Sequence, residues 1–501
     1  MTQPIEHKHN FLLRSTPLLL IGGVLCFFLI TLAPTVLWGD QAYFQRTAFD
    51  GTLRPDAGGH WLWLQAVQLF THLPWGDVAY RVNLLSAAAA AVTILILYCA
   101  IRALNIDRLS AVIACSSLAI SHTFWMHAVR AEVYTVFTAL MALQLWLWFS
   151  WRPQKFWPIA IAAGLFGVTL LGHQLAILML PAAAILIARQ RQWLDRRQRL
   201  ALFGAFTIGL VPFIVIVVWQ THAVDLFSGL WRYFTHADVD FSRAMFDVSW
   251  AQLPHDTALW LGLLGLQFVG PAGLLGLRGF IDRHWSPPWI ALGVLYATGV
   301  AFAFSYRVND QFVFYLPSYL AFTFFIARGW HVLTRQSRWF TASRRATVLV
   351  LIVAVPMATY ALLPRALTAL RLNPLDIRTL PGRDPNQYFL WPGSRDDYGA
   401  AIYARTALAS LPPASVVIAD HTPLEALRYV QSVEGVRPDV QLVKIEPGDD
   451  LAPVLKPFSN GQAIFLADDD PRYYNLGSIP DRCLKPFGDL HQLIENESRL
   501  C

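Results

Sequence analysis

The stretch TLAPTVLWGDQAYFQRTAFDGTLRPDAGGHWLWL, residues 31–64, decides how the rest of the chain is read. It starts where an apolar N-terminal run ends, and it sets one carboxylate, Asp40, directly beyond that run. An acid just past the end of a membrane span is poorly explained by packing, which makes Asp40 the candidate centre of the chemistry. Farther along lie Arg46, Asp50, Asp56 and His60, then HWLWLQAVQLFTHLPW, where aromatic and aliphatic residues recur at helical spacing among Gln65, Gln68 and His72. That pattern predicts a short amphipathic helix lying on a membrane.

The chain has 501 residues, 55% of them hydrophobic and only 14% charged. A soluble globular chain carries about 25% charged residues, so most of this surface meets something other than water. Apolar runs of roughly 18–22 residues recur and identify that solvent as a bilayer. The formal net charge of +6 then reflects topology and gives no reason to expect nucleic acid, because Lys and Arg collect in cytoplasmic loops.

Spans are expected near 16–37, 81–101, twice within 110–149, then near 157–172, 175–188, 201–219, 257–277, 289–305, 312–327 and 347–363. The most basic loop, ARQRQWLDRRQR (188–199), and a second one with Arg328, Arg335, Arg338, Arg344 and Arg345 fall on one side. This predicts about eleven transmembrane helices, with the N-terminus cytoplasmic and the C-terminus outside. The first outer loop is 38–80, and the transmembrane part covers 1–364.

Beyond it, 365–501 changes character: SVVIAD, VQLVKIE and AIFLAD are short β-rich runs, separated by helical patterns such as YGAAIYARTALASL and TPLEALRYVQSVEG, the latter with Thr422 as its expected N-cap. Alternating strand and helix predicts a C-terminal extracytoplasmic α/β domain with a mainly parallel sheet and an accessory role. Cys26, Cys99 and Cys115 read as buried hydrophobes, whereas Cys483 and Cys501 are placed to form a disulfide in an oxidising compartment. No His/Cys spacing marks a zinc site. Scarce Lys relative to Arg leans towards a bacterial inner membrane.

Ionisable residues that the topology places at the outer side are Asp40, Asp56, His60, Arg130, Glu132, His173, Arg307 and Asp310. Each costs on the order of 3 kcal/mol at membrane depth, so such groups pair, line a cavity or do work. Bland readings stand beside that one: Asp56, Asp238 and Asp240 as solvated loop acids, Arg130–Glu132 as a structural ion pair, and His60 and His173 as interfacial hydrogen-bonders. Arg307 and Asp310 can equally mark the membrane boundary.

Specific strings then carry a resemblance. APTVLWGD, Gly59-His60-Trp61, YRVNLLSAAAAA, FWMHAVRAEVY, LLGHQ, the Asp310/Tyr315/Pro317 spacing and SLPPASVVIADHTPLEALRYVQSVEGVRPDVQLV resemble a family of polytopic membrane glycosyltransferases of GT-C type. That family includes a eukaryotic endoplasmic-reticulum protein O-mannosyltransferase. The resemblance implies a GT-C-like helical bundle and an inverting transferase that moves a sugar, mannose among the candidates, from a polyprenyl-phosphate donor to an acceptor protein or glycan. It implies Asp40 as general base and Glu132 as a second catalytic acid, with Asp310 matching the family's later acid. Arg130 and Arg307 are then expected at the phosphate, and His60 and His173 at acceptor or phosphate. Two departures flank Asp40: Tyr43 stands where the family carries a second acid, and Asp56-Ala57-Gly58-Gly59-His60 stands where it carries H-P-P-G-Y. Tyr43 is accordingly a candidate substrate contact. No cofactor is called for, although Asp40, Asp56 and Glu132 leave a divalent cation open. Rival readings are a multi-span transporter, against which no internal repeat and no mid-span charge is seen, and a non-catalytic scaffold presenting the tail.

Overall fold

A computed structural model describes residues 4–54, 57–152, 154–235, 249–308, 310–336, 340–458 and 461–495. The first helix, Pro4–Ile30, stops short of the expected end at 37. Pro34 has no N–H to continue the ladder, and Thr31 Oγ1 donates back to the Phe27 carbonyl at 2.9 Å. The backbone turns to other partners: Ala33 N–H donates to Val129 O at 2.9 Å, and Thr31 O accepts from Ser394 N–H at 2.9 Å. Residues 31–39 are thus threaded between two distant loops.

Among the described residues, five helices are long and apolar enough to cross a membrane: Val78–Ala103, Arg196–Thr221, Pro287–Ser305, Gln311–Arg335 and Ala342–Ala369. Two bent pairs bring the number up to seven. In one, Arg108–Ala119 and His122–Ala128 meet at 70°. In the other, Leu253–Gln267 and Pro271–Phe280 meet at 111°, so the straight span expected over 257–277 is broken. The break is local chemistry: Gly270 takes φ +79°, open to glycine without steric cost, and Pro271 starts the next helix. Thr16–Ile30, Tyr134–Ser150 and Gln174–Arg189 are shorter apolar helices. Where Pro271–Phe280 packs on Gln311–Arg335, Gly279 and Gly329 each lie against the other helix's backbone, where any Cβ would collide. Small residues let helices approach this closely in a membrane.

The expected surface helix forms over Trp61–Thr71, with Trp63, Leu64 and Val67 buried and Leu69 exposed.

In the C-terminal part, β1 (Val416–Ala419) lies parallel to β2 (Gln441–Lys444) and to β3 (Ile464–Leu466). These are the three runs read from β-branched residues. A hairpin that the sequence reading passed over, β4 (Arg482–Phe487) and β5 (Leu490–Glu495), adds antiparallel to β3, giving the order β2-β1-β3-β5-β4. Its turn uses Gly488 at φ +61°. The helix after β1 runs His421–Val433, and its N-cap is Asp420, whose carboxylate accepts from the Thr422 N–H at 3.2 Å; Thr422, the expected cap, lies inside the helix. Asp420 caps because it follows the strand in extended conformation, which turns its oxygen towards the first-turn amides.

One apolar core joins this sheet to the segment between the first two long helices and to the start of the second: Val36, Trp38, Ala42 and Ala79 pack with Tyr403, Leu424, Leu427 and Tyr429. Trp38 meets Tyr403 at 5.0 Å between ring centroids, and the Tyr429 hydroxyl accepts from Ala79 N–H at 3.0 Å. The expected Cys483–Cys501 bridge involves Cys501, which lies outside the described residues, as do Asp56, Asp238 and Asp240.

Candidate active site

Asp40 opens a helix, Asp40–Asp50, that the sequence reading had left as loop because DQAYFQRTAFD shows no apolar period. Gly39 before it adopts φ 59°, a conformation that glycine alone takes freely. That turn brings the Gly39 N–H to the Thr422 carbonyl at 3.1 Å and sets Asp40 against the N-terminus of the His421–Val433 helix. There Asp40 Oδ1 meets His421 Nε2 at 2.8 Å. Farther along, Arg46 bonds Glu425 at 2.9 Å and Asp50 at 3.2 Å, clamping the two helices.

The Asp40 side chain is 61% accessible, yet desolvation by surrounding protein is the largest influence on its ionisation. Desolvation alone would raise its pKa; the His421 hydrogen bond and charge, with Arg54 and His60 behind them, outweigh it and hold the carboxyl below the usual range. His421 answers in kind: burial lowers its pKa, and Asp40 and Glu425 more than restore it, leaving it raised.

Glu132 is buried in the break between His122–Ala128 and Tyr134–Ser150. Its carboxylate accepts from Gln41 Nε2 at 2.5 Å and lies 3.7 Å from His127. Its backbone N–H donates to Ser86 Oγ at 3.2 Å. Gln41 follows Asp40 directly, so the two acids are coupled through one short segment. The Arg130–Glu132 ion pair is not formed. The Arg130 guanidinium turns to Ser394 Oγ at 2.8 Å and the Tyr388 carbonyl at 3.0 Å, and lies 4.5 Å over the Tyr388 ring.

Asp310 is pushed up to about 7, first by burial and then by the negative charge of Asp40 and of Glu132. The same three acids act electrostatically on the Tyr134 hydroxyl. Asp40, Glu132 and Asp310, far apart in sequence, therefore share one neighbourhood. Arg307, three residues before Asp310, bonds Asp256 at 2.6 Å and also reaches Gln252, both in or beside the first turn of Leu253–Gln267.

His60 takes φ 45° ahead of Trp61–Thr71 and is buried. Its ring stands 5.1 Å from that of His173, which also lies 5.2 Å from Tyr134 and 5.2 Å from Phe137. His173 Nδ1 accepts from the Leu175 N–H at 3.2 Å, fixing the ring at the break after Phe166–Gly172. Tyr43, one turn beyond Asp40, stacks loosely with Arg46 at 5.7 Å. Among the described residues no group of three or more His, Cys, Asp or Glu could hold a metal ion. Of the acids that left a divalent cation open, Asp56 lies outside the described residues.

Sequence reasoning missed His421, Gln41, Arg54 and Asp256. A signal for His421 existed: it follows Asp420 at the carboxyl end of a strand in the parallel part of the sheet, where open α/β sheets place functional groups.

Residues 55–196 match the family model described as "Protein O-mannosyl-transferase TMEM260 N-terminal domain". A search of curated proteins found no match. Among solved structures, the crystal structure of ArnT from Cupriavidus metallidurans bound to undecaprenyl phosphate matches with TM-score 0.53 and 13% identity, over 97% of this chain and 98% of that one. The same organism's ArnT in the apo state matches with TM-score 0.54 and 14% identity, over 95% and 97%. At such identities these likenesses speak for the fold. The chain thus carries the fold of these ArnT structures, the GT-C type, and its residues 55–196 are similar to the N-terminal domain of the protein O-mannosyltransferase TMEM260.

Proposed function

We propose that this protein is an inverting glycosyltransferase of the extracytoplasmic membrane face, taking a sugar from a polyprenyl-phosphate donor to a hydroxyl of a protein or glycan acceptor. The observation that carries the reading is the accessible Asp40 carboxylate, bonded to His421 and with Glu132 reached through the neighbouring Gln41. Asp40 takes the acceptor's O–H proton as that oxygen bonds to the sugar's anomeric carbon. The carbon–oxygen bond to phosphate breaks on the opposite face, and its electron pair leaves with the phosphate. Glu132 positions Asp40's segment through Gln41, and Asp310 is a third acid able to give or take a proton near neutrality. Arg54 and His60 add positive potential beside the carboxylate. Arg130 and Arg307 remain proposed phosphate contacts, reached by exchanging their present partners Ser394 and Asp256; charge-assisted bonds to phosphate repay such an exchange. His173 and Tyr43 line the acceptor side in this reading.

The three shorter apolar helices and the pair Trp157–Gly164 and Phe166–Gly172 complete about eleven spans, with the N-terminus cytoplasmic and the 365–501 α/β part outside a bacterial inner membrane. Support for the lipid-borne donor is the likeness over nearly the whole chain to an ArnT captured with undecaprenyl phosphate. The test reconstitutes the full chain in vesicles with a panel of polyprenyl-phosphate sugars and follows products by mass spectrometry. Asp40→Asn is expected to slow transfer by about 10²–10⁴-fold, the usual contribution of a positioned base. Transfer by Asp40→Asn at the wild-type rate removes Asp40 from that role.

A further inference from the structure

The C-terminal α/β part contributes a group to Asp40, and that group sits at the end of a rigid support. His421 is the first residue of its helix and follows Asp420, the N-cap, directly. Asp420 is buried and held from three directions. Arg378 Nη1 bonds both its carboxylate oxygens at 2.9 Å, the Tyr474 hydroxyl donates to Oδ1 at 2.9 Å, and its own N–H donates to Tyr474 Oη at 3.1 Å. Arg378 in turn bonds Asp468 at 2.5 Å and lies 3.9 Å over the Tyr473 ring. On the other side, the Gly39–Thr422 backbone bond and the Arg46–Glu425 pair fix the Asp40 helix against the His421 helix. The 2.8 Å contact between Asp40 and His421 therefore joins two elements that other contacts already hold against each other. A surface ion pair on flexible side chains has no such framework.

We infer that His421 is a positioning residue for Asp40: its imidazole donates a hydrogen bond that orients the carboxylate, so that the C-terminal part completes the active site. The inference rests on the proposed role of Asp40 as base. An imidazolium beside a carboxylate favours the charged form, which carries base function to lower pH. His421 donates through Nε2 to Oδ1 and leaves Oδ2 for the acceptor's proton. The charged groups facing the pair are Arg54 and His60 on the Asp40 side, with Asp310 and Glu132 in electrostatic reach, and Glu425 and Lys444 beside His421.

The experiment uses the full chain in two arms. In the first, histidine-selective ¹⁵N NMR in detergent follows the His421 titration in wild type and in Asp40→Asn, with His421→Gln identifying the signal. The His421 pKa is expected to fall in Asp40→Asn, and an unchanged His421 titration overturns the inference. This arm needs no activity. In the second, the acid limb of kcat/KM is measured in vesicles carrying a polyprenyl-phosphate sugar that wild type uses. His421→Ala is expected to move that limb upward by about one pH unit, the smaller end of what a neighbouring opposite charge does, and to lower kcat more than it raises KM. His421→Gln, which keeps a donor, is expected to restore kcat but leave the limb displaced. A lower unfolding midpoint with an unmoved acid limb overturns the inference in favour of a structural role. Wild type that uses no donor in the panel sinks the glycosyl-transfer reading alone, and the titration arm then decides the pairing.

Discussion

Two acidic clusters in this molecule are built in opposite ways. Beyond the carboxyl ends of β1 and β3, Asp420 and Asp468 are joined by Arg378, which bonds both of them. Nearly every oxygen there has a donor, and the charges are locked. At the site, Asp40, Glu132 and Asp310 gather with histidines and amides, and the arginines nearest in sequence are turned elsewhere: Arg130 to Ser394, Arg307 to Asp256. The first cluster spends its ionisation on holding a helix. The second contains Asp310, which burial and the negative charge of Asp40 and Glu132 push up to about 7. Full compensation gives stability, and partial compensation leaves groups able to titrate.

That contrast can be broken most directly at Arg378. Arg378→Ala strands two carboxylates in protein, Asp420 being almost fully buried, and is expected to cost about 3–5 kcal/mol, as removing one partner of a buried pair does. Denaturant unfolding of the purified chain measures it, and a cost near zero would mean the sheet cluster is no more committed than the site. Asp310→Asn is expected to act with the opposite sign. Because Asp310 holds its proton more tightly folded than unfolded, its ionisation opposes folding, and stability falls as pH rises from about 4 towards about 7. The variant removes that fall, gaining about 4 kcal/mol at pH 8 relative to wild type and little at pH 4. Unfolding midpoints across that pH range check both ends of the prediction. Arg46→Ala should have the smallest effect. Glu425 retains Arg428 at 2.9 Å, so the loss is expected below about 1 kcal/mol, read as a slightly lower midpoint in the same assay.

How far this was legible in the sequence differs by element. The strands β1 to β3 announced themselves as β-branched runs, and apolar length marked the long spans. Asp40 stood out because a lone acid beyond an apolar run has no packing excuse. Its helix did not, since Asp40–Asp50 is held by tertiary contacts with the His421 helix and not by an apolar stripe of its own. The Gly270-Pro271 break was visible as a dipeptide but was read through, because mean apolarity over 257–277 says nothing about direction. Partner choice was the least legible. Arg130 and Glu132 lie two apart yet serve different loops, and no local pattern encodes that Arg130 reaches Ser394, 264 residues away.

The contact between Asp40 and His421 carries one more consequence, a counting rule. The two residues are 381 apart in sequence and touch, so they lie on the same side of any membrane the chain spans. The chain between them must therefore cross an even number of times. All five long spans and both bent pairs fall within that interval, and counted as single crossings they make seven, an odd number. Either one bent pair returns to the face it entered from, or a shorter helix such as Tyr134–Ser150 also crosses. A single 2.8 Å bond thereby constrains the topology of the whole intervening chain, and it closes only after the last quarter of the protein has been made and delivered to the side where Asp40 is already waiting.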